Sequence, residues 1–326
     1  MGVIGVGLMG RRHAENIAGL EGQTRLVAVT DADRLTRERV AKDLGAPSSE
    51  SVDALLERTD VRAVVIASPK QFHEEHAISA ARAGKDVFLE KPIATSLAGA
   101  DRVIAAARDA RVRLQVGFQR RYDAAYAEAR RLVAGGGLGR PLLYRGINRD
   151  RDAPVGPPGT MDANDILTES AIHDLDGARW MLSDEVAGVR ASLATIGDPG
   201  TTPGPDLTMV ELYFAGGAIA HIEAMRGARY AYDIRSEVIC ENGAVVVGGF
   251  AQTMLTILRA GERRDDLYPG FLERYADAYV AELRDFVDGI FDRRPAAVTG
   301  DDGRRALAIA FAAERAAALS RRVAPE

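Results

Sequence analysis

The sequence predicts an α/β Rossmann domain followed by an α+β domain built on a large, mainly antiparallel open sheet. Three observations support this: a glycine-rich turn directly after the first strand, apolar strands alternating with helices up to residue 118, and closely spaced strand-like segments beyond it. A chain of 326 residues is long enough for two domains of ordinary size. We therefore predict domains over residues 1–118 and 119–326, with the C-terminal helices free to pack back on the first domain.

The composition, 47% hydrophobic and 27% charged, is that of an ordinary soluble protein. A net charge of −5 argues against extended nucleic-acid binding. The single cysteine, Cys240, can form neither an internal disulfide nor a multi-cysteine zinc site, which favours a cytoplasmic location and no metal. No apolar run is long enough to span a bilayer, and the start does not resemble a secretory signal. The first strand is short enough that the native start could lie upstream.

Up to residue 118, continuous apolar segments alternate with segments of helical periodicity. Strands that are apolar throughout are typical of a parallel sheet covered by helices on both faces. Gly45 and Gly84 follow two predicted helices, where glycine commonly ends a helix in the left-handed conformation. The predicted strands are residues 3–6, 26–30, 61–67, 86–89 and 113–118, and the predicted helices are residues 11–20, 33–44, 74–82 and 97–108.

Beyond residue 118, short strands are separated by tight turns such as Ala215-Gly216-Gly217, a hairpin signal that favours antiparallel pairing. Residues 152–164 are rich in proline and glycine, which predicts a surface loop. The predicted strands are residues 142–148, 186–195, 207–214, 218–225, 234–241, 244–247 and 252–258, and the predicted helices are residues 122–133, 168–182, 271–291 and 303–318.

Residues 5–10 match the pattern G-x-G-x-x-G between a strand and a helix, which is the context that dinucleotide binding requires. The first glycine permits the tight turn, the second lets the backbone approach a pyrophosphate, and the third allows the helix to pack closely on the strand. Free N–H groups at the helix start then face the phosphates. Taken alone the motif is weak, because glycine-rich turns occur in many loops. The predicted cofactor contacts in this turn are Gly5, Gly7, Leu8, Met9 and Gly10.

Asp31 ends the second predicted strand at about the distance where an acidic residue binds the ribose hydroxyls. Its carboxylate would repel a 2′-phosphate, so NAD is predicted in preference to NADP. Arg34 and Arg37 lie close enough in sequence to leave NADP open. The alternative is that Asp31 is only a turn residue at the end of a strand.

Four further segments carry a family resemblance: Ala67-Ser68-Pro69, Glu90-Lys91-Pro92, the run from Gly117 to Asp123, and Ile172-His173-Asp174. Together with the glycine motif they resemble the Gfo/Idh/MocA family of oxidoreductases, and within it the inositol 2-dehydrogenases. The resemblance covers essentially the whole chain. The Glu-Lys-Pro segment and the helix-borne histidine are far more specific than the glycine motif.

The resemblance implies a nicotinamide enzyme that binds its substrate between the domains and assembles through its open sheet, by family analogy as a homotetramer. It implies oxidation of a secondary hydroxyl of a cyclic polyol, with myo-inositol to 2-keto-inositol favoured. The further cofactor contacts that it implies are Ser68, Pro69, His73, Glu90 and Lys91. The substrate contacts that it implies are Lys91, Arg120, Asn148, Asp150, Glu169, His173, Tyr232 and Tyr279.

Oxidation of an alcohol needs a base for the hydroxyl proton, and the pKa of histidine suits this role near neutral pH. His173 is the candidate, and Glu169, four residues earlier on the predicted helix, shares its face and could orient the imidazole. Lys91 is the third catalytic candidate, because an ammonium beside the hydroxyl stabilises the developing alkoxide. The structural alternatives are a packing histidine beside a solvated acid and a surface lysine.

Two departures from the inositol dehydrogenase pattern leave the substrate open. Glu169 stands where those enzymes usually carry aspartate, and Asp150 stands where several relatives have asparagine. Three alternative functions therefore remain: a dehydrogenase of another sugar or pyranose, a hydride-cycling glycosidase, and a non-catalytic regulator that senses dinucleotide. Regulators of this kind tend to lose the lysine or the histidine, and this chain has both.

Overall fold

A five-stranded parallel sheet forms in the first third of the chain in the computed structural model, which describes residues 1–20, 22, 24–153, 165–198 and 202–326. Its strands, in the order β2-β1-β3-β4-β5, confirm the predicted Rossmann topology. The chain leaves β1 for β2 on one side and returns to β3 on the other, so the strand order reverses between β1 and β3. The strands are β1 (Gly2–Ile4), β2 (Ala28–Thr30), β3 (Ala63–Ile66), β4 (Asp86–Glu90) and β5 (Leu114–Gly117).

The helices between these strands begin and end at recognisable caps. Asp33, Ser51 and Ser96 accept hydrogen bonds from the first free backbone N–H groups of the second, third and fifth helices. Gly45 and Gly84 adopt positive φ after two helices, as predicted. The short third helix was not predicted. The helices are α1 (Leu8–Gly19), α2 (Arg34–Asp43), α3 (Val52–Leu56), α4 (His73–Arg82) and α5 (Leu97–Ala110).

A later helix, α9 (Ala276–Phe291), belongs to the same compact unit, which comprises residues 1–122 and 277–307. Leu283, Phe286 and Val287 on α9 join the core formed by the first strands and α1. Phe88 and Phe286 are both fully buried and meet edge to face, with ring centroids 5.8 Å apart. Burying a side chain of this size stabilises the fold by roughly 1.5–3 kcal/mol, so α9 is an integral part of this core.

The second unit, residues 123–276 and 308–326, is built on a six-stranded sheet in the order β11-β10-β6-β9-β8-β7. Only the β6–β9 pair is parallel, so the predicted mainly antiparallel open sheet is confirmed. Helix α6 (Ala124–Ala134) also belongs to this unit. The strands are β6 (Pro141–Asp150), β7 (Val186–Ala194), β8 (Leu207–Phe214), β9 (Ile219–Arg226), β10 (Asp233–Cys240) and β11 (Gly243–Gly249).

The predicted strand at 252–258 pairs with a strand that was not predicted, and the two form a separate hairpin. These are β12 (Ala251–Arg259) and β13 (Glu262–Leu267). The second strand reads Glu-Arg-Arg-Asp-Asp-Leu, which has no apolar alternation, so periodicity could not reveal it.

Two predicted helices differ from the structure. The helix at 271–291 is divided at Tyr275 into α8 (Phe271–Arg274) and α9. The helix at 168–182 begins as a π-helical segment over Ile166–Ala171 and continues as α7 (Ile172–Leu182). Helical periodicity in the sequence does not distinguish these cases, because the apolar spacing is nearly the same. The last helix is α10 (Gly300–Leu319).

Within the described residues, no helix combines the length and the apolar character needed to cross a membrane. Most of the loop predicted at 152–164 lies outside the described residues, which resume at Asp165.

Candidate cofactor and catalytic site

The predicted cofactor residues follow the carboxyl ends of successive strands of the parallel sheet. Gly5 follows β1, Asp31 follows β2, Ser68 follows β3, and Lys91 follows β4. Arg120, which is buried, lies in the 3₁₀ turn after β5. Carboxyl ends of parallel strands meet at one edge of a sheet, and ligands of such sheets bind where the strand order reverses. The first unit therefore gathers these side chains at the edge where a dinucleotide is expected.

The glycine turn has the space that a pyrophosphate requires. Gly5 has φ of +81°, and a Cβ there would lie 2.5 Å from the backbone nitrogen of Ser68. A Cβ on Gly10 would lie 1.8 Å from the carbonyl oxygen of Gly5, whereas a Cβ on Gly7 would meet nothing within 4 Å. Gly7 is also the N-cap of α1 and provides no side-chain cap, so the first N–H groups of α1 remain available for phosphate oxygens. Two glycines thus permit close packing, and the third leaves room for the ligand.

Asp31 is anchored to the glycine turn. Its Oδ2 accepts a hydrogen bond from Val6 N at 2.7 Å, and its Oδ1 accepts one from Asp33 N at 2.9 Å. Arg37, which sequence proximity left open as a 2′-phosphate ligand, is buried and donates to the carbonyl oxygens of Asp31 and Glu50. The Asp31 carboxylate is held in place, and Arg37 is already bound to backbone carbonyl oxygens. This arrangement favours binding of ribose hydroxyls over binding of a 2′-phosphate.

Hydrogen bonds with two buried side chains, Glu90 and His73, fix the Glu-Lys-Pro segment. Glu90, the last residue of β4, accepts the Lys91 backbone N–H on Oε2 at 3.2 Å, and the Lys91–Pro92 peptide is cis. The ring nitrogens of His73 lie 2.7 Å from Pro92 O and 2.8 Å from Ser68 O. Burial lowers the pKa of His73, and its two carbonyl contacts oppose that shift. His73 thus links the loop after β3 to the loop after β4, which is a positioning role.

His173 lies in the first turn of α7, directly after the π-helical segment. Glu169, which the sequence predicts to share a face with His173, lies in the π-helical segment, so the four-residue spacing between them spans the change from π-helical to α-helical geometry. The carboxylate of Glu169 pairs with Arg226 Nη2 at 3.1 Å. Arg226 also donates to Ser170 Oγ at 3.1 Å and Asp165 O at 3.3 Å. Such π-helical turns occur frequently at functional sites.

Sequence reasoning missed Arg226, the last residue of β9. The only available signal was its position: it lies in a strand whose alternate residues are buried, and charged residues are almost never fully buried without a partner. Arg226 binds Glu169 and Ser170 of the π-helical segment and the residue that precedes it, Asp165, and so fixes the acid that precedes His173.

Two further predicted substrate residues of the second unit, Asn148 and Asp150, contact the same segment. Asn148 on β6 donates from Nδ2 to Ser170 O at 2.8 Å and to Asp174 Oδ2 at 3.0 Å, so its amide supports α7. Asp150 accepts a hydrogen bond from Ser170 Oγ at 3.3 Å. Tyr232 is buried, with its ring 6.5 Å from that of Tyr275.

Tyr279 is placed differently from these residues. It lies on α9 in the first unit, with its ring centroid 6.0 Å from that of His13. The structure therefore associates Tyr279 with the parallel sheet and α1.

Comparison with known proteins identifies the family. The family described as an oxidoreductase family with an NAD-binding Rossmann fold matches residues 1–118, and the GFO/IDH/MocA C-terminal domain matches residues 126–246. The chain belongs to the GFO/IDH/MocA oxidoreductase family. Its N-terminal region is thus an NAD-binding Rossmann domain, in agreement with the space at Gly7 and the carboxylate of Asp31.

Several relatives resemble the chain over nearly its full length. It is 33% identical to scyllo-inositol 2-dehydrogenase (NAD(+)) of Bacillus subtilis, over 95% of this chain and 92% of that protein. It is also 33% identical to myo-inositol 2-dehydrogenase of Thermotoga maritima, over 97% of this chain and 95% of that protein. A crystal structure of scyllo-inositol dehydrogenase from Lactobacillus casei, with bound NAD(H) and scyllo-inositol, matches with a TM-score of 0.90 at 26% identity, covering 99% of this chain and 98% of that one.

The position of Asp31 leads to a prediction about cofactor choice. We expect Asp31→Ala to lower the ratio of kcat/KM with NAD to that with NADP by about 10- to 100-fold, because one or two charge-assisted hydrogen bonds to the ribose are lost, each worth roughly 1.5–3 kcal/mol. The measurement is steady-state kinetics with both cofactors.

The matched control for this prediction is Asp33→Ala. Asp33 caps α2 by accepting hydrogen bonds from Leu35 N and Thr36 N, so its loss should lower the melting temperature and leave the cofactor ratio in place. An unchanged ratio in Asp31→Ala would refute the ribose role of Asp31.

Proposed function

We propose that the protein catalyses the NAD-dependent oxidation of a secondary hydroxyl of a cyclic polyol, with myo-inositol to 2-keto-inositol as the reaction. The observation that carries this proposal is full-length similarity to enzymes named for inositol oxidation, in a chain that retains both Lys91 and His173. A relative of the same fold is described with NAD(H) and scyllo-inositol bound. The substrate class is thus a ring polyol.

In this proposal Lys91 and His173 act on the same hydroxyl. NAD held at the glycine turn and Asp31 would supply the acceptor for the hydride of the carbinol carbon. His173 accepts the hydroxyl proton, while the Lys91 ammonium stabilises the negative charge that develops on the oxygen. The carbon is oxidised to a ketone, and the proton passes from the imidazole to solvent.

Glu169 serves this mechanism as an acid held in place by Arg226. An ionised carboxylate near His173 would favour the protonated imidazole that forms during turnover. Polyol recognition needs many hydrogen-bonding groups, and we assign this role to Arg120, Asn148, Asp150, Tyr232 and Tyr279. For Asn148, whose amide is bound to Ser170 and Asp174, this leaves only the side-chain carbonyl oxygen toward a ligand.

We further propose that residues 1–118 bind the cofactor and that residues 119–326 bind the substrate and form the oligomer contacts. A homotetramer located in the cytoplasm fits this organisation, and size-exclusion chromatography with light scattering would measure the assembly.

The function is tested by following NADH formation with NAD or NADP and a panel of myo-inositol, scyllo-inositol and aldohexoses. We expect robust reduction of NAD with myo-inositol. Reduction only with a pyranose would move the substrate to another sugar, in line with Glu169 in place of aspartate. Tight NAD binding without reduction by any member of the panel would favour a dinucleotide-sensing regulator and would contradict the proposed activity.

A further inference from the structure

Three ionisable side chains meet inside the first unit, beneath the Lys91 backbone. His13 on α1 and Glu282 on α9 are fully buried, and Glu90 at the end of β4 is 7% exposed. One ring nitrogen or carboxylate oxygen from each residue lies within 4.8 Å of the others. Burying two carboxylates and an imidazole is costly unless charge and hydrogen bonding are balanced, so this cluster requires an explanation.

The hydrogen bonds of the cluster are unequally distributed. Glu90 accepts His13 Nε2–H on Oε1 at 2.6 Å and the backbone N–H of Lys91 on Oε2 at 3.2 Å. Within the described part of the chain, neither carboxylate oxygen of Glu282 has a hydrogen-bond partner, and neither does Nδ1 of His13. Glu90 is therefore solvated by protein donors as a carboxylate, whereas Glu282 is buried without them.

The packing around the cluster leaves it little freedom. The His13 ring meets Phe88 edge to face with centroids 5.3 Å apart, and Gln115 Nε2 donates to the backbone carbonyl of Glu282 at 3.1 Å. A Cβ at position 117 would lie 3.3 Å from the carboxyl carbon of Glu90, so glycine there permits the close approach of β5. The ionisable groups that interact with the cluster, from each element packed on it, are Lys91, His73, Tyr122 and Tyr279.

A metal ion does not fit this geometry. Ligand atoms of a tetrahedral zinc site lie about 2 Å from the metal and so about 3 Å or more from each other. The 2.6 Å separation of His13 Nε2 and Glu90 Oε1 is instead that of a charge-assisted hydrogen bond. Two buried carboxylates within 4.8 Å of each other repel when both are ionised, which favours a proton on one of them.

We propose that His13, Glu90 and Glu282 form a buried triad that positions Lys91, with a proton retained on Glu282 and the negative charge on Glu90. The charged Glu90 then anchors the Lys91 backbone, while neutral Glu282 adds no second buried negative charge beside it. This inference rests on the proposed function only for the role of Lys91.

The electrostatic environment supports this distribution. Burial and the neighbouring Glu90 charge raise the pKa of Glu282 well above its ordinary value. Burial opposes ionisation of Glu90, but the hydrogen bond from His13 and the charge of Lys91 hold its pKa below the ordinary range.

A consequence for stability follows from the proton on Glu282. The unfolded chain releases this proton above about pH 4.3, whereas the folded protein retains it. The folded state therefore binds more protons, and its stability falls as pH rises from that value toward the folded pKa. Glu282→Gln, which mimics the neutral acid, removes this loss. The melting temperature of Glu282→Gln minus that of the wild type should therefore increase as pH rises above about 4.3, by roughly 3 °C or more in total.

The experiment compares two chemically identical substitutions, Glu282→Gln and Glu90→Gln, in the full-length protein. Infrared difference spectra at neutral pH should contain the carbonyl band of a protonated carboxylic acid that disappears in Glu282→Gln. The melting temperature of Glu90→Gln should be lower than that of the wild type, because His13 and the Lys91 N–H lose a charged acceptor. In kinetics, Glu90→Gln should lower kcat about 10-fold with little change in the KM for the polyol. Glu282→Gln should move the alkaline limb of the pH–rate profile to higher pH, because glutamine has no acidic proton to lose.

Several results would overturn the triad: a protonated-acid band that survives in Glu282→Gln, no such band in the wild type, a melting-temperature difference independent of pH, or one equivalent of bound metal in the purified protein. The infrared and melting measurements need no substrate. They therefore test the triad even if no polyol reduces NAD, in which case only the proposed function would fail.

Discussion

Replacing Lys91 with methionine is expected to lower kcat by about 10²- to 10³-fold, the range observed when a group that stabilises developing negative charge is removed. Methionine retains the length and apolar stem of lysine but not its charge. The hydrogen bond from the backbone N–H of residue 91 to the Glu90 carboxylate remains in this variant, so the loop after β4 should keep its conformation. The measurement is steady-state oxidation of the polyol identified by the panel, together with NAD affinity by fluorescence titration, which should change much less than kcat.

Two companion variants separate charge from position at this site. Lys91→Arg keeps a positive charge, but its planar guanidinium does not place it like an ammonium, so kcat should recover only in part. Lys42→Met alters an exposed lysine on α2 and should retain the wild-type rate. If Lys91→Met keeps kcat within about threefold of the wild type, Lys91 has no part in stabilising the alkoxide.

Replacing His173 with alanine is expected to lower kcat by about 10²- to 10⁴-fold, the usual contribution of a general base. A base must be unprotonated to accept the hydroxyl proton, so wild-type kcat/KM should rise with pH through the pKa of the base. The variant should lose that rise. Added imidazole should restore part of the rate, which a purely structural loss would not allow.

The control for this substitution is His221→Ala, an exposed histidine on β9 in the same unit, which should leave the rate and the pH profile as they are. If kcat/KM of His173→Ala rises with pH as it does in the wild type, the base is another group. Failure of imidazole to restore any activity, combined with a large drop in melting temperature, would point to a packing role for His173.

Much of the parallel sheet was predictable because its information is local. Most of its strands are short, largely apolar runs, and the order of strands and helices restricts the topology to a few choices. The glycine turn was predictable because its motif is short and lies between a strand and a helix, and Gly10 is required by a contact within that unit, with the carbonyl oxygen of Gly5. The close approach of the Ser68 backbone to Gly5, by contrast, is a contact between segments that are distant in sequence. The second sheet was predictable as a class, because hairpin turns mark antiparallel neighbours.

The elements that escaped prediction leave no apolar pattern of their own or depend on contacts that are distant in sequence. The parallel β6–β9 pair joins strands far apart in the chain. Strand β13 pairs with its neighbour β12, but its charged sequence has no apolar alternation that would reveal it. The π-helical segment retains a helical apolar spacing, so its altered register is visible only through its partners Asn148 and Arg226.

The sequence by itself determined the family, the NAD-binding turn and the identity of Lys91 and His173 as catalytic candidates, because these are short motifs whose residue types follow from the chemistry. Only the tertiary structure decided what surrounds them. It brings Glu282 beside Glu90 and His13, since α9 packs on the parallel sheet, and it gives Glu169 an arginine partner from β9. The charge state of a buried acid depends on desolvation and on neighbours within a few ångströms, and these exist only once the chain has folded.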